Sequence, residues 1–149
     1  MAEPTSVTIR ISSRVGLIDL VHAAAENMAQ FSGLDADAAL NIGLAVREGV
    51  INAIVHGNGN DPEKMVEIRL DADAERLETR IVDQGEGFDE QQTADPTVGE
   101  GLLATSGRGL LMMRAFVDEV EQRSTATGGC EVVLVKRLEN GSDAGAEAT

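Results

Sequence analysis

The stretch from Val46 to Asn60, VREGVINAIVHGNGN, constrains this chain more than any other. It reads as the end of an apolar helix, yet Glu48, Asn52 and His56 recur four residues apart and so stack on one line of that helix. Leu44, Ile51, Ile54 and Val55 supply the side expected to be buried. Packing alone has no use for a carboxylate and a carboxamide there, because a buried Glu or Asn costs free energy unless it is paired. A solvated polar stripe is the plain alternative, and the segments downstream decide between the two. Gly57 is the expected helix stop, in the place where a left-handed C′ residue commonly sits.

The flanking patterns alternate between strand and helix periods. Val7 to Ser12 alternates apolar and polar, which predicts a strand with one buried face. From about Arg14 to Phe31 the period turns helical, with Leu17, Leu20, Val21, Ala24 and Met28 along one side, until Ser32-Gly33 breaks it. Asp35 is placed as the N-cap of the helix that runs on to His56. Dense turn chemistry at Asn58 to Pro62 leads into two strands, Met65 to Ala72 and Arg76 to Val82, joined as a hairpin. No firm periodicity runs from Glu90 to Ser106, and so long an irregular stretch in a compact domain is usually either functional, as a lid, or disordered. Gly107 opens a helix to about Val117, with Leu110, Leu111, Met113 and Phe116 as its apolar residues. Val120 to Ser124 and Cys130 to Leu138 form a last hairpin. The acidic, small-residue composition of 139–149 predicts a disordered tail, leaving residues 1–138 as a single domain. The expected class is an α/β (α+β) two-layer sandwich: a mixed, largely antiparallel sheet with helices on one face.

Composition narrows the partners. A formal net charge of -14 argues against nucleic-acid and anionic-membrane surfaces, both of which need basic patches. The chain has no Trp or Tyr and only three Phe, so it lacks the usual base-stacking equipment. Its single cysteine cannot form an internal disulfide, which suits a reducing compartment. MAEPTSVTIR is too polar for a signal peptide, and no stretch approaches the ~18 apolar residues of a membrane span. The expectation is a soluble, cytoplasmic protein.

Two glycine segments carry the chemistry. Asp83-x-Gly85-x-Gly87 falls where a strand ends; an ionised carboxylate can only accept hydrogen bonds, and the exocyclic amine of adenine is a matching donor. The glycines let a flat base approach the backbone. Gly107-Arg108-Gly109 opens a helix, whose free N–H groups suit a phosphate, with Arg108 adding a charged contact. Taken singly, a strand-to-loop turn or a flexible helix entry explains each. In this order, after a helix bearing Glu-x3-Asn, they make an ATP site. Asn52 then offers an oxygen to Mg²⁺, Glu48 acts as general base or orients the attacking hydroxyl, and 90–106 closes over the phosphates.

These segments resemble the GHKL ATPase superfamily with its Bergerat ATP-binding fold, and more closely the small bacterial anti-sigma-factor serine/threonine kinases. Glu48-x-x-x-Asn52-Ala53-x-x-His56-Gly57 is similar to the N box, Asp83 to Asp89 to the first glycine box, and Ser106-Gly-Arg-Gly-Leu110 to the second. The resemblance implies that Glu48 is the catalytic base, Asn52 the magnesium ligand and Asp83 the adenine-recognising carboxylate. Gly85, Gly87, Gly107, Arg108 and Gly109 would shape the nucleotide pocket, with His56, Ser106, Leu110 and Cys130 in the same nucleotide-binding set. It further implies Mg-ATP as cofactor, a sigma factor and an anti-anti-sigma (STAS) protein as partners, and a homodimer. Three positions depart from the pattern: Cys130 stands where relatives often carry Thr, Gly49 where they carry Ala, and Gly101 where they carry Asn. The rival readings are an ATP-binding module that sequesters partners without phosphoryl transfer, and an interaction domain with no nucleotide.

Overall fold

The computed structural model describes residues 3–85 and 107–138. Five strands form one sheet: β1 (Thr5–Ser12), β2 (Met65–Ala72), β3 (Arg76–Val82), β4 (Glu119–Ser124) and β5 (Cys130–Arg137), in the order β1-β2-β3-β5-β4. All four pairings are antiparallel, so the sheet expected to be mixed is antiparallel throughout its described strands. The helices are α1 (Ile18–Phe31), α2 (Ala36–Asn52) and α3 (Gly107–Phe116).

The two-residue period of the strands decides which face they bury. Ile68, Leu70 and Ala72 of β2 lie opposite Ile81, Thr79 and Leu77 of β3, and these six are buried together with Val66. Val132 and Leu134 of β5 continue that face. The other face bears ion pairs, Arg69–Asp71 within β2, Arg80–Glu78 within β3 and Arg123–Glu131 across β4 and β5. Val133 is buried on this outer face as well, directly across from Arg80, whose long stem can cover it.

Over the inner face, α2 buries Ile42, Ala45, Val46, Gly49 and Val50, the recurrence of one helical stripe. Asp35 caps it as expected, accepting a hydrogen bond from the Ala38 N–H at 2.8 Å. Of the side expected to be buried, Ile54 is fully buried, whereas Leu44, Ile51 and Val55 flank the stripe half-buried. In α1 Val21 and Met28 are buried as expected, together with Ile18, Ala25 and Ala29, whereas Leu20 is 59% exposed. In α3 Met113 is buried and Leu111 is 67% exposed.

Against the expectation that no stretch would, Ala36–Gly57 has the length and mean hydropathy, 1.4, of a membrane span. Half of that window is buried inside the domain, as expected for a core helix laid on a sheet.

Candidate functional site

The helix that carries Glu48 and Asn52 does not end as a regular α-helix. Ala53–Gly57 forms a π turn, in which the Asn58 N–H donates to the Ala53 carbonyl. Such turns are rare and concentrate at functional sites. Gly57 is not the left-handed stop expected: the positive-φ residues here are Gly59, at 61°, and Asn60, at 60°. Glycine is required at 57 for a different reason. A Cβ there would lie 2.2 Å from Asp83 Oδ2.

Asp83 arrives at this point because β3 delivers it. One step past Val82, its N–H donates to the Cys130 carbonyl at 3.0 Å, extending the β3–β5 ladder. Its Oδ1 accepts from the Gly85 N–H at 2.9 Å and from the Cys130 N–H at 3.1 Å. These two bonds hold the carboxylate through Oδ1 and leave Oδ2 turned toward Gly57. Gly85 packs so tightly on the Gly57 carbonyl that a Cβ would sit 1.9 Å from its oxygen. Gly129 does the same to the Asp83 carbonyl, at 2.0 Å. A helix end, a strand end and a hairpin end thus close on one carboxylate that is only 6% exposed. Burial pushes its pKa above the usual value of 3.8, while the N–H groups of Gly85 and Cys130 and the charge of Lys64 pull back.

The remaining expected residues sort by position. Glu48 and Asn52 are half-buried, one turn apart on α2, and His56 is exposed in the π turn. The Asn52 amide nitrogen is buried with no hydrogen-bond partner among the described residues. Protein interiors rarely leave such an atom unpaired, and a ligand contact would explain its retention. Cys130 lies on the inner face at the start of β5; Gln122 Nε2 donates to its Sγ at 3.3 Å. Burial pushes this thiol up to about 11, with the Asp83 and Glu131 carboxylates adding to the effect against the Gln122 bond. Gly107 to Leu110 form the first turn of α3, in which Gly109 is buried. Gly87, Ser106, Gly101, the stretch 90–106, the tail 139–149 and the side chains of Arg108 and Leu110 lie outside the described residues.

Sequence reasoning treated Asn58 as turn chemistry, but it is 3% exposed and its side chain makes three hydrogen bonds. Nδ2 donates to Ser13 Oγ at 2.8 Å and to the Met65 carbonyl at 3.0 Å, and Oδ1 accepts from the Gln84 N–H at 2.8 Å. Only its position between Gly57 and the turn could have signalled this.

Among the described residues no three His, Cys, Asp or Glu are placed to hold a metal ion. The donor set present suits a hard cation held through one carboxamide and shared with phosphate oxygens, which is how Mg²⁺ is commonly bound.

A sheet layered with helices, with a buried carboxylate closed in by glycines at a helix end, suits a nucleotide-binding domain. The chain belongs to the histidine kinase-like ATPase domain family, whose pattern matches residues 11–136. An anti-sigma F factor of Anoxybacillus flavithermus is 34% identical over 104 residues, 68% of this chain and 71% of that protein. The serine-protein kinase RsbW of Bacillus subtilis is 26% identical over 140 residues, 89% of this chain and 85% of that protein. Among solved structures, the RsbU and RsbW domains of a Mycobacterium tuberculosis protein share the fold with TM-score 0.61 at 22% identity, over 90% of this chain and 32% of that one. The mycobacterial sensor histidine kinase MprB matches with TM-score 0.52 at 20% identity, over 92% of this chain and 97% of that one.

Proposed function

We propose that this protein is an anti-sigma factor with serine/threonine protein kinase activity, using Mg-ATP to phosphorylate an anti-anti-sigma (STAS) protein and sequestering a sigma factor. One observation carries the reading: the pinned, buried carboxylate of Asp83 lies against the end of the helix that bears Glu48 and Asn52. Relatives named anti-sigma F factor and serine-protein kinase RsbW, matching most of the chain, support the regulatory half of it.

In this reading Asp83 accepts a hydrogen bond from the amine of adenine through Oδ2, the oxygen its own backbone contacts leave over. The absence of a Cβ at Gly57 and Gly85 keeps the helix end and the loop close to that carboxylate. The N–H groups that open α3 are offered to phosphate. Asn52 holds the magnesium ion through its carboxamide oxygen; when bound, that ion neutralises charge on the phosphate oxygens. Glu48, one turn earlier, accepts the proton of the attacking serine or threonine hydroxyl. The rest of the rate enhancement comes from positioning. A homodimer in the cytoplasm is part of the same proposal.

ATP titrated into wild type and Asp83→Asn tests the nucleotide half. The expected result is saturable binding by wild type that falls at least tenfold in the variant, since a hydrogen bond to a charged group is worth roughly 1.5–3 kcal/mol. Equal affinity in the two proteins would overturn the assignment of Asp83.

A further inference from the structure

We infer that Asn58 is a positioning residue for nucleotide recognition: it fixes the loop carrying Asp83 against the end of the helix carrying Glu48 and Asn52, and so sets how sharply adenine is told from other purines. The inference rests on the ATP reading above.

A turn asparagine ordinarily bonds the backbone two residues on, and needs no distant partner. Asn58 does the opposite. Its carboxamide reaches Ser13 just past β1, Met65 at the start of β2, and Gln84 immediately after Asp83. Both amide protons and an oxygen lone pair are thereby used, in a side chain that is 3% exposed. The attachments are reinforced around it: the Ser13 hydroxyl donates to the Lys64 carbonyl at 2.7 Å, and the Met65 N–H donates to Gln84 Oε1 at 2.6 Å. On one side of Asn58 is Gly57, which touches Asp83 Oδ2; on the other side of the Gln84 bond is Gly85, whose N–H holds Asp83 Oδ1. The carboxylate is thus bracketed by two segments that the Asn58 side chain joins. Only a carboxamide supplies this set, and glutamine would carry it one methylene further out. Aspartate keeps the acceptor and loses both donors, and alanine loses all three.

Without Asn58 the Gln84 N–H loses its acceptor and the loop is released, so Asp83 keeps its ladder contact to Cys130 but not a fixed aim. Affinity then falls for ATP more than for a purine triphosphate that lacks the 6-amino group.

The test is a titration of ATP and of purine riboside triphosphate into wild type, Asn58→Ala, Asn58→Asp and the core control Ile68→Val. Wild type is expected to prefer ATP by about tenfold or more, the scale of one charged hydrogen bond. Asn58→Ala is expected to lose most of that ratio, Asn58→Asp part of it, and Ile68→Val none. In an Asp83→Asn background, Asn58→Ala should change the ratio no further. Asn58→Asp serves where the alanine variant does not fold. An unchanged ratio in the Asn58 variants overturns the inference and leaves the ATP reading standing. No ATP binding by wild type overturns both. Amide exchange separates the structural claim from nucleotide: the Gln84 and Gly85 amides should exchange faster in Asn58→Ala, and equal exchange overturns the positioning role by itself.

Discussion

Gly57→Ala puts the closure of the site to its most direct structural test. The added methyl would stand 2.2 Å from Asp83 Oδ2, 2.5 Å from its Cγ and 3.1 Å from its Cβ. Ordinary contact begins at 3.4 Å, so Oδ2 must retreat by 1.2 Å, the difference between 3.4 and 2.2. The carboxylate has no slack for such a move, because Oδ1 is tied to two backbone N–H groups at 2.9 and 3.1 Å. Weakening both bonds forfeits about 3 kcal/mol on the scale of hydrogen bonds to charged groups. Replacing glycine within a helix returns about 1 kcal/mol. The expected net loss of about 2 kcal/mol lowers Tm by about 4–8 °C for a domain of this size. ATP affinity should fall at least tenfold with it, by the same hydrogen-bond scale. Gly49→Ala is the internal contrast. Its methyl also meets a neighbour, at 2.5 Å, but that neighbour is the terminal Cδ1 of Ile81, and the next atoms are 3.8 Å away. A methyl tip can turn aside, so the helix-propensity gain of about 1 kcal/mol should roughly cancel the repacking. Thermal unfolding and ATP titration of both variants are the assay. A Gly57→Ala protein as stable as wild type, with unchanged ATP affinity, would refute the claim that Asp83 is clamped.

Other consequences follow from titration and burial. Burial raises the Asp83 pKa above 3.8, so the folded protein holds that proton more tightly than the unfolded chain. The associated stability is present below the unfolded value and lost as pH rises through the raised one. Asp83→Asn should therefore unfold at higher temperature than wild type at pH 7, with the gap closing as pH falls toward the carboxylate range; a lower Tm at pH 7 would contradict this. ATP affinity of wild type should weaken as the pH drops through the raised Asp83 value, since the protonated group no longer offers an ionised acceptor; an affinity flat across that range would count against Asp83 as the adenine contact. The Cys130 thiol, pushed up to about 11, should label slowly with iodoacetamide in the folded protein near neutral pH and rapidly once unfolded. Fast labelling of the folded form would show a thiolate where burial predicts a thiol.

Strands were readable because alternation is a strict, local signal. Met65–Ala72 and Arg76–Val82 fall where the pattern puts them, with Val66, Ile68 and Leu70 inward. The Asp35 cap was legible for the same reason, since the bond it makes is three residues away. Helix faces were less so. Leu20 and Ile18 are both apolar, and tertiary packing, not period, decides that Ile18 goes inward. At the site, Glu48, Asn52 and Asp83 stood out as polar groups in apolar segments. Gly57 was singled out for the wrong cause, because its need arises from Asp83, 26 residues further on, which no local rule registers. Asn58 was hidden by the same blindness: its partners Ser13 and Gln84 lie 45 and 26 residues away.

The central claim is phosphoryl transfer to a protein hydroxyl with Glu48 as base. It is tested by incubating the protein with Mg²⁺ and ATP labelled in the γ-phosphate, together with a candidate STAS protein, beside Glu48→Gln. The account predicts acid-stable label on a serine or threonine of the STAS protein with wild type. It predicts none with Glu48→Gln, which should still bind ATP and still inhibit its sigma partner. ATP binding without transfer by wild type, or equal transfer by the two proteins, would contradict it.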